Sequence, residues 1–544
     1  MESAILALVL AGGFIYASIS NRRTKKRRIK QNIREKYGRV PDEKETLEKA
    51  VYNYYETCSK HSDIDEVTWN DLSMDEVYLR INNCDSSVGE ELLYAQLHDT
   101  QRTMEQDELL ERRITFCEQE EERFKVEEKL TSLGKDKTLY YIPSYMQTLS
   151  DFRIPNMWLY RLFQVLLVLG IVLAAVLHNA AGGVLLIIIL ALNLTAYSVT
   201  VRGKFDNEIA MLTSSMYLVT TARALYEEHH GNGICDELEE YLGYFEKMDK
   251  KMFLLAAQAG QKNGDGFEVL QDFLLGATMW HIITYDKVMR CMEAHVSEYM
   301  EIYRIIGELD AAVSIGSFRK SLVSYVLPEY TDERRIVMEE IYHPLLKDPV
   351  CNSADMGRSC IITGSNASGK STFIKTVAVN VILAQSIHTC SAQRMVLPRA
   401  LMITSMAVRD DIMSGDSYFI KEIKYLKRIM DEMSKERMVI CVIDEILRGT
   451  NTLERIAASK AILEYLSRKN CLAIVASHDR ELTELTGMGY DNYHFTEQAG
   501  EHDIMFDYKL RQGPADSKNA IRLLELAGFP ESVVKRAKAI AALE

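Results

Sequence analysis

Apolar positions along this chain fall into three patterns, and each predicts a different kind of element. The first pattern is long and uncharged. Ala4 to Ser20 carries no charge and is followed at once by Arg22, Arg23, Lys25, Lys26, Arg27, Arg28 and Lys30. Its length is near the lower limit for a membrane span, and the basic flank should stay in the cytoplasm. A cleaved signal peptide carries its positive charge ahead of the apolar run, so an uncleaved anchor is the better reading. Leu162 to Val201 is again free of charge and is broken only at His178-Asn179-Ala180-Ala181-Gly182-Gly183. That break predicts two membrane helices joined by a tight turn. Trp158, Tyr160 and Tyr197 near the ends read as interfacial anchors, and Arg153, Arg161, Arg202 and Lys204 keep both ends on the cytoplasmic side. The alternative is a buried soluble hairpin, which so long an uncharged run would leave without a solvated face. Three spans are expected in all.

The second pattern is helical. Asp63 to Glu128 is rich in acids and free of proline, and Asp206 to Tyr325 is helical again. The third pattern is short and continuous. Ser359–Thr363, Met438–Ile443 and Cys471–Ala476 read as parallel strands covered on both faces, and Phe373 to Ala384 reads as a helix after the first of them. The expected partition is an anchor with its basic flank over 1–30, helical regions over 31–156 and 204–330 around a transmembrane hairpin at 157–203, and an α/β domain over 331–544.

Composition narrows what these elements do. With 47% hydrophobic residues in 544 there is material for two or more domains with sizeable cores. The formal charge of −14, from 64 basic and 78 acidic residues, argues against a broadly basic nucleic-acid-binding surface and permits a local one. Ten cysteines include no C-x-x-C pair, so they read as reduced core residues of a cytoplasmic protein.

Chemistry concentrates after the first strand. Gly364-Ser365-Asn366-Ala367-Ser368-Gly369-Lys370-Ser371-Thr372 fits the pattern G-x-x-x-x-G-K-[ST]. In such a P-loop the glycines let backbone N–H groups approach phosphate oxygens, Lys370 reaches the β- and γ-phosphates, and the Ser371 hydroxyl takes a Mg²⁺ position. The helix N-terminus that follows favours the same anion. An ordinary Gly/Ser turn would also read this way in isolation. The second strand, however, ends in Asp444-Glu445, a pair delivered to the C-terminal edge of the sheet. Asp444 would hold Mg²⁺, and Glu445 would orient and deprotonate the attacking water, while Lys370 and Mg²⁺ meet the charge developing on the γ-phosphate of ATP. The third strand ends at Ser477-His478-Asp479, which places His478 to sense that phosphate. A lone histidine is more often structural, but its position after a third strand in this order favours the site. No metal other than Mg²⁺ is implied.

These residues together resemble the ATPase domain of the MutS proteins, relatives of the ABC-type ATPases. The resemblance covers roughly Tyr342 to Ala541. It includes His343-Pro344-Leu345, the P-loop with Asn366, and the stretch Asp410-Asp411-Ile412-Met413-Ser414-Gly415-Asp416-Ser417-Tyr418-Phe419-Ile420-Lys421-Glu422, similar to a DD-L-x-x-G-x-STF-x-x-E pattern. Asp444-Glu445-Ile446-Leu447-Arg448-Gly449-Thr450 is similar to DE-x-x-RGT, Ala476-Ser477-His478 to A-T-H, and Gly513-Pro514 through Pro530 and Arg536-Ala537 to the family's terminal segment. The departures are Tyr418 where Thr is common, Ala520 where Gly is common, and Val350 where some members place an adenine-stacking aromatic.

The resemblance implies a homodimer with composite sites, in which Ser414, Gly415 and Ser417 of one subunit complete the γ-phosphate site of the other. Ser417 reads equally as a helix N-cap. More faintly, Val88 to Tyr94, Leu109 to Arg113 and Gly307 to Ser314 resemble parts of the MutS core domain. The membrane hairpin then stands where long lever helices would carry a DNA clamp. The expected fold is an α/β P-loop NTPase of the MutS C-terminal type, preceded by an all-α core or lever-like region with three transmembrane helices.

Mismatch reading is not expected to follow. The one early Phe-x-Glu is Phe116-Cys117-Glu118, on an acidic helix with Glu120, Glu121 and Glu122 that DNA phosphates would repel, and it reads as a core phenylalanine. A separate recognition domain is expected to be absent. The sequence thus predicts a membrane-anchored, Mg²⁺-dependent ATPase with a lipid-bilayer partner, and it leaves DNA binding through the helical arms open. A membrane-tethered signalling scaffold acting on a protein or lipid is the alternative. A transporter subunit is disfavoured, because the hairpin interior carries no charged residue to mark a pathway.

Overall fold

The computed structural model describes residues 27–41, 48–58, 62–135, 137–177, 180–200, 206–246, 276–365, 368–406, 418–433, 435, 437–499, 504–514 and 528–541. The chain divides into two compact units that are interleaved in sequence. One comprises Met1–Lys60, Asn82–Ala95 and Glu108–Ser317; the other comprises His61–Ile81, Gln96–Asp107 and Phe318–Glu544.

The first unit is helical. Its longer helices are α1 (Ser87–His98, which runs on past the division), α2 (Met104–Glu118), α3 (Glu120–Leu133), α4 (Met157–Leu177), α5 (Ala180–Thr200), α6 (Asp206–His229), α7 (Trp280–Ala294) and α8 (Val296–Ser321). Leu130, Leu225, Met292, Ile306 and Leu309 meet in one buried core, each contributing about 1.5–3 kcal/mol by leaving water. Asp310 of α8 is fully buried and accepts from the N–H groups of Asp85 and Ser86 at 3.0 and 2.8 Å and from the Ser86 hydroxyl at 2.6 Å. These donors stand at the N-terminus of α1, where the helix dipole favours a carboxylate. Gly89 makes the approach feasible, since a Cβ there would lie 2.3 Å from Asp310 Oδ2. Phe116 packs against this core and sets its ring edge-on to buried His229, in keeping with a structural role.

α4 and α5 are long and apolar enough to cross a membrane, and they are the two such helices among the described residues. Only 11% of each apolar window is buried. The expected first span, Ala4 to Ser20, lies outside the described residues. The tight turn is shorter than expected, because α5 begins at Ala180 and takes in Gly182 and Gly183. Gly170 of α4 packs where a Cβ would come 2.7 Å from Ile189 Cδ1. Asn193 of α5 is buried and donates to the Ala277 carbonyl at 2.8 Å.

The second unit is α/β. A four-stranded sheet has the order β1-β5-β2-β3, with β1 at Glu329–Tyr330, β2 at Ile336–Ile341, β3 at Asn352–Met356 and β5 at Arg394–Leu397. A six-stranded sheet has the order β12-β9-β4-β8-β7-β6. Its members are β4 (Ser359–Thr363), β6 (Leu401–Ser405), β7 (Val439–Asp444), β8 (Cys471–Ala476), β9 (Tyr490–His494) and β12 (Arg511–Gln512), all parallel neighbours except the β12 edge. A short antiparallel ladder of β10 (Glu497–Ala499) and β11 (Ile504–Phe506) stands apart from both. Every residue of β4, β7 and β8 is buried, as continuous apolar runs require. Among the described residues, the longer helices of this unit are α9 (Lys370–Ile387), α10 (Tyr418–Glu432), α11 (Thr452–Ser467) and α12 (Glu531–Ala541).

The helices Glu66–Asp71 and Met74–Ile81 belong to this second unit, although the sequence places them among the all-α residues. Polar side chains hold the first of them to β6. Asp71 accepts from the Thr404 hydroxyl at 2.7 Å and the Met406 N–H at 2.9 Å, and the Thr404 N–H donates to Thr68 at 3.2 Å. The outer strand of the sheet is thereby covered over Thr404, whose N–H is paired.

Candidate functional site

β4 leads into the glycine-containing loop and α9, so Lys370 opens the helix directly after the strand. Gly364 has φ +147°, and a Cβ on it would meet Phe495 O at 2.8 Å and Ser368 Oγ at 2.9 Å. Gly369 has φ +104°, with Tyr508 at 3.1 Å from a would-be Cβ. Both glycines are therefore required by space as well as by backbone conformation. Ser368 folds the loop back through its hydroxyl to the Ser365 carbonyl at 2.7 Å. Lys370 is buried, and its Nζ donates to the carbonyls of Gly364 at 2.6 Å and Ser365 at 2.8 Å. Asn366 and Ala367 lie outside the described residues, while Ser371 and Thr372 stand in the first turn of α9.

Asp444 ends β7 in register with Ala476, the last residue of β8, so the parallel pairing sets both loops at one edge. Glu445 takes the left-handed conformation at φ 60° and donates its N–H to the Ala476 carbonyl at 2.9 Å. Such a φ is uncommon outside glycine and is held here by the neighbouring strand. Its carboxylate meets Arg448 Nε at 2.7 Å and His478 Nδ1 at 3.3 Å. Arg448 also stands 3.8 Å from Asp444. Glu422 of α10 accepts from the N–H groups of Arg448 at 3.3 Å and Gly449 at 3.4 Å, which fixes the loop after β7.

Lys370, Ser371, Asp444, Glu445 and Arg448 line one cleft of about 1020 Å³, together with Trp69, Asp71, Met406 and Tyr425. The structure thus brings together the loop lysine and serine with the acidic pair, and it joins His478 to Glu445. Ser414, Gly415 and Ser417 lie outside the described residues. Val350 is solvent-exposed.

The donor set fits a magnesium nucleotide. Mg²⁺ prefers oxygen ligands and is held by one or two protein groups plus phosphate oxygens. Asp444 and Ser371 supply such groups, and no cluster of three or more His, Cys, Asp or Glu ligands occurs among the described residues. The close-packed loop around Gly364 and Gly369 leaves backbone and Lys370 as the groups available to phosphate. Near the loop, His343 is buried and accepts the Leu345 N–H on Nδ1 at 3.3 Å; burial, with Lys375 adding to it, pulls its pKa down to about 4.

Sequence reasoning passed over Asp71, which comes from far upstream and has no local signal. It also left Glu422, Arg455 and Asp479 without roles. Asp479 was the most accessible of these, being the immediate neighbour of His478.

Comparison with known proteins finds similarity over the α/β residues. Residues 360–543 match the family described as MutS domain V. The DNA mismatch repair protein MutS of Clostridium kluyveri is 31% identical over 294 residues, covering 50% of this chain and 33% of that protein. The MutS of Pseudothermotoga lettingae is 30% identical over 267 residues, covering 47% of this chain and 33% of the relative. That of Caldanaerobacter subterraneus is 29% identical over 270 residues, with 47% and 30% covered. The chain spans about a third of the length of these relatives.

Proposed function

We propose that this protein is a membrane-anchored, MutS-like ATPase, in which residues 331–544 hydrolyse ATP with Mg²⁺ and drive conformational change in a homodimer. One observation carries the reading: buried Lys370 at the start of α9 lines the same cleft as Asp444 and Glu445 at the end of β7. The loop N–H groups and Lys370 bind the phosphates. Ser371 and Asp444 would hold Mg²⁺, which when bound neutralises charge on the β- and γ-phosphates. Glu445 accepts a proton from the water that attacks the γ-phosphorus, and the leaving diphosphate stays on the loop. Arg448 and His478 hold the Glu445 carboxylate in place for that step. Ser414, Gly415 and Ser417 of a second subunit would complete the γ-phosphate site.

The exposed apolar hairpin supports attachment to a lipid bilayer and favours work at a membrane on a protein or lipid partner. The relatives' printed name, DNA mismatch repair protein, supports the other reading, DNA binding through the helical arms. A salt-dependent DNA titration separates the two.

The test of the ATPase reading is turnover by the full chain with Mg²⁺ and ATP. Wild-type protein should hydrolyse ATP, and Lys370→Ala should lose nucleotide binding by at least about tenfold, the effect of one charge-assisted contact of about 1.4 kcal/mol. A wild-type chain that takes up no ATP at any magnesium concentration would refute it.

A further inference from the structure

His478 leaves the end of β8 with 46% of its side chain exposed, so packing alone does not choose its ring orientation. Carboxylates stand at both of its nitrogens. Nδ1 is 3.3 Å from Glu445 Oε1, and Nε2 is 3.7 Å from Asp479 Oδ1. Asp479 is itself held from a different element. Arg455, in the first turn of α11, donates through Nε to Asp479 Oδ2 at 3.0 Å and through Nη2 to Oδ1 at 2.7 Å. That two-pronged contact fixes the plane of the carboxylate as well as its position. The Asp479 side chain is 9% exposed, and its N–H donates to Ser477 Oγ at 3.0 Å. α11 in turn starts from a defined cap, with Asn451 Oδ1 accepting the Glu454 N–H at 3.0 Å. The groups form an alternating series of Arg448, Glu445, His478, Asp479 and Arg455.

We propose that Asp479, clamped by Arg455, is a positioning residue that fixes the His478 ring against Glu445 and so sets the efficiency of water activation. It rests on the ATPase reading given above and adds to it a pair of residues outside the nucleotide contacts. Neither Asp479 nor Arg455 lines the cleft that holds Lys370 and Asp444. Their removal should therefore act on turnover and leave nucleotide affinity alone. A merely structural ion pair would behave otherwise, since its loss would change turnover by the same factor whatever stands at position 478.

The experiment is a set of full-chain variants measured for kcat, ATP Kd and Tm. Asp479→Ala and Arg455→Ala should each lower kcat by about tenfold, about 1.4 kcal/mol of barrier, with Kd unchanged. The double variant should be no worse than either single change, because the residues act as a unit. In a His478→Ala background, Asp479→Ala should add nothing. Asp479→Glu should recover part of the activity. The same loss in the His478→Ala background, or wild-type kcat in Asp479→Ala, would overturn the proposal. Should Asp479→Ala fold poorly, Arg455→Lys keeps the charge, removes the fork and reads the pair from its other side. Failure of the ATPase reading would show itself differently, as wild-type protein without turnover. In that event the ring signals of selectively labelled His478 still decide the geometric claim. They should move in Asp479→Ala and in Arg455→Lys, and unmoved signals would refute it.

Discussion

Glu445 combines a left-handed backbone with a carboxylate held by Arg448 and His478, which is an exacting placement for one side chain. Glu445→Gln keeps the shape and removes the proton acceptor. Turnover should fall by about a hundredfold to ten-thousandfold while ATP remains bound, a split that stopped-flow release of labelled nucleotide would register. Other single residues govern stability. Glu127 is buried in the helical unit near Asp85 and Asp310, and burial pushes its pKa from 4.5 to about 8. Burial moves Asp310 the same way, to about 7. A carboxyl raised in the folded state stabilises below its unfolded pKa and loses that contribution as pH climbs through the folded value. Melting of the full chain should therefore weaken between about pH 4.5 and 8, and Glu127→Gln should flatten that slope. At this scale the sequence was most legible where chemistry dictates spacing. Lys370, Ser371, Asp444 and Glu445 could be chosen because phosphate and magnesium demand those types after strands. Arg455 and Asp479 could not be paired, since their contact depends on how α11 lies beside the β8 loop.

Elements show why local pattern succeeds and where it stops. β8 runs from Cys471 to Ala476, the limits of its apolar run, because a strand covered on both faces has no polar position to blur its ends. α5 starts at Ala180, ahead of the glycines that the local pattern reads as a turn. α1 depends on a contact that no periodicity reveals, the Asp310 carboxylate against its N-terminus. Gly89→Ala would set a Cβ 2.3 Å from Asp310 Oδ2. The overpacking should cost about 1–3 kcal/mol, seen as a lower urea midpoint with an unchanged slope, and a neutral result would mean that α8 yields more readily than its burial implies.

For the molecule as a whole, the exposed apolar hairpin of α4 and α5 supports the proposed attachment to a bilayer. Purified chain should float with liposomes, and introducing lysines at Val168 and Ile187, both exposed on the apolar surface, should lower the floating fraction. The two-unit division was the least legible feature, because tertiary hydrogen bonds far apart in sequence draw His61–Ile81 and Gln96–Asp107 to the sheets. Those early residues carry a further implication for synthesis. During translation the side chains of Thr68 and Asp71 emerge long before Thr404 and Met406, so the nascent chain must keep a splint waiting for a strand not yet made. A shortened gene encoding only the recognisable catalytic portion would produce a sheet whose outermost strand is bare, ready to stack with its own copies into insoluble material.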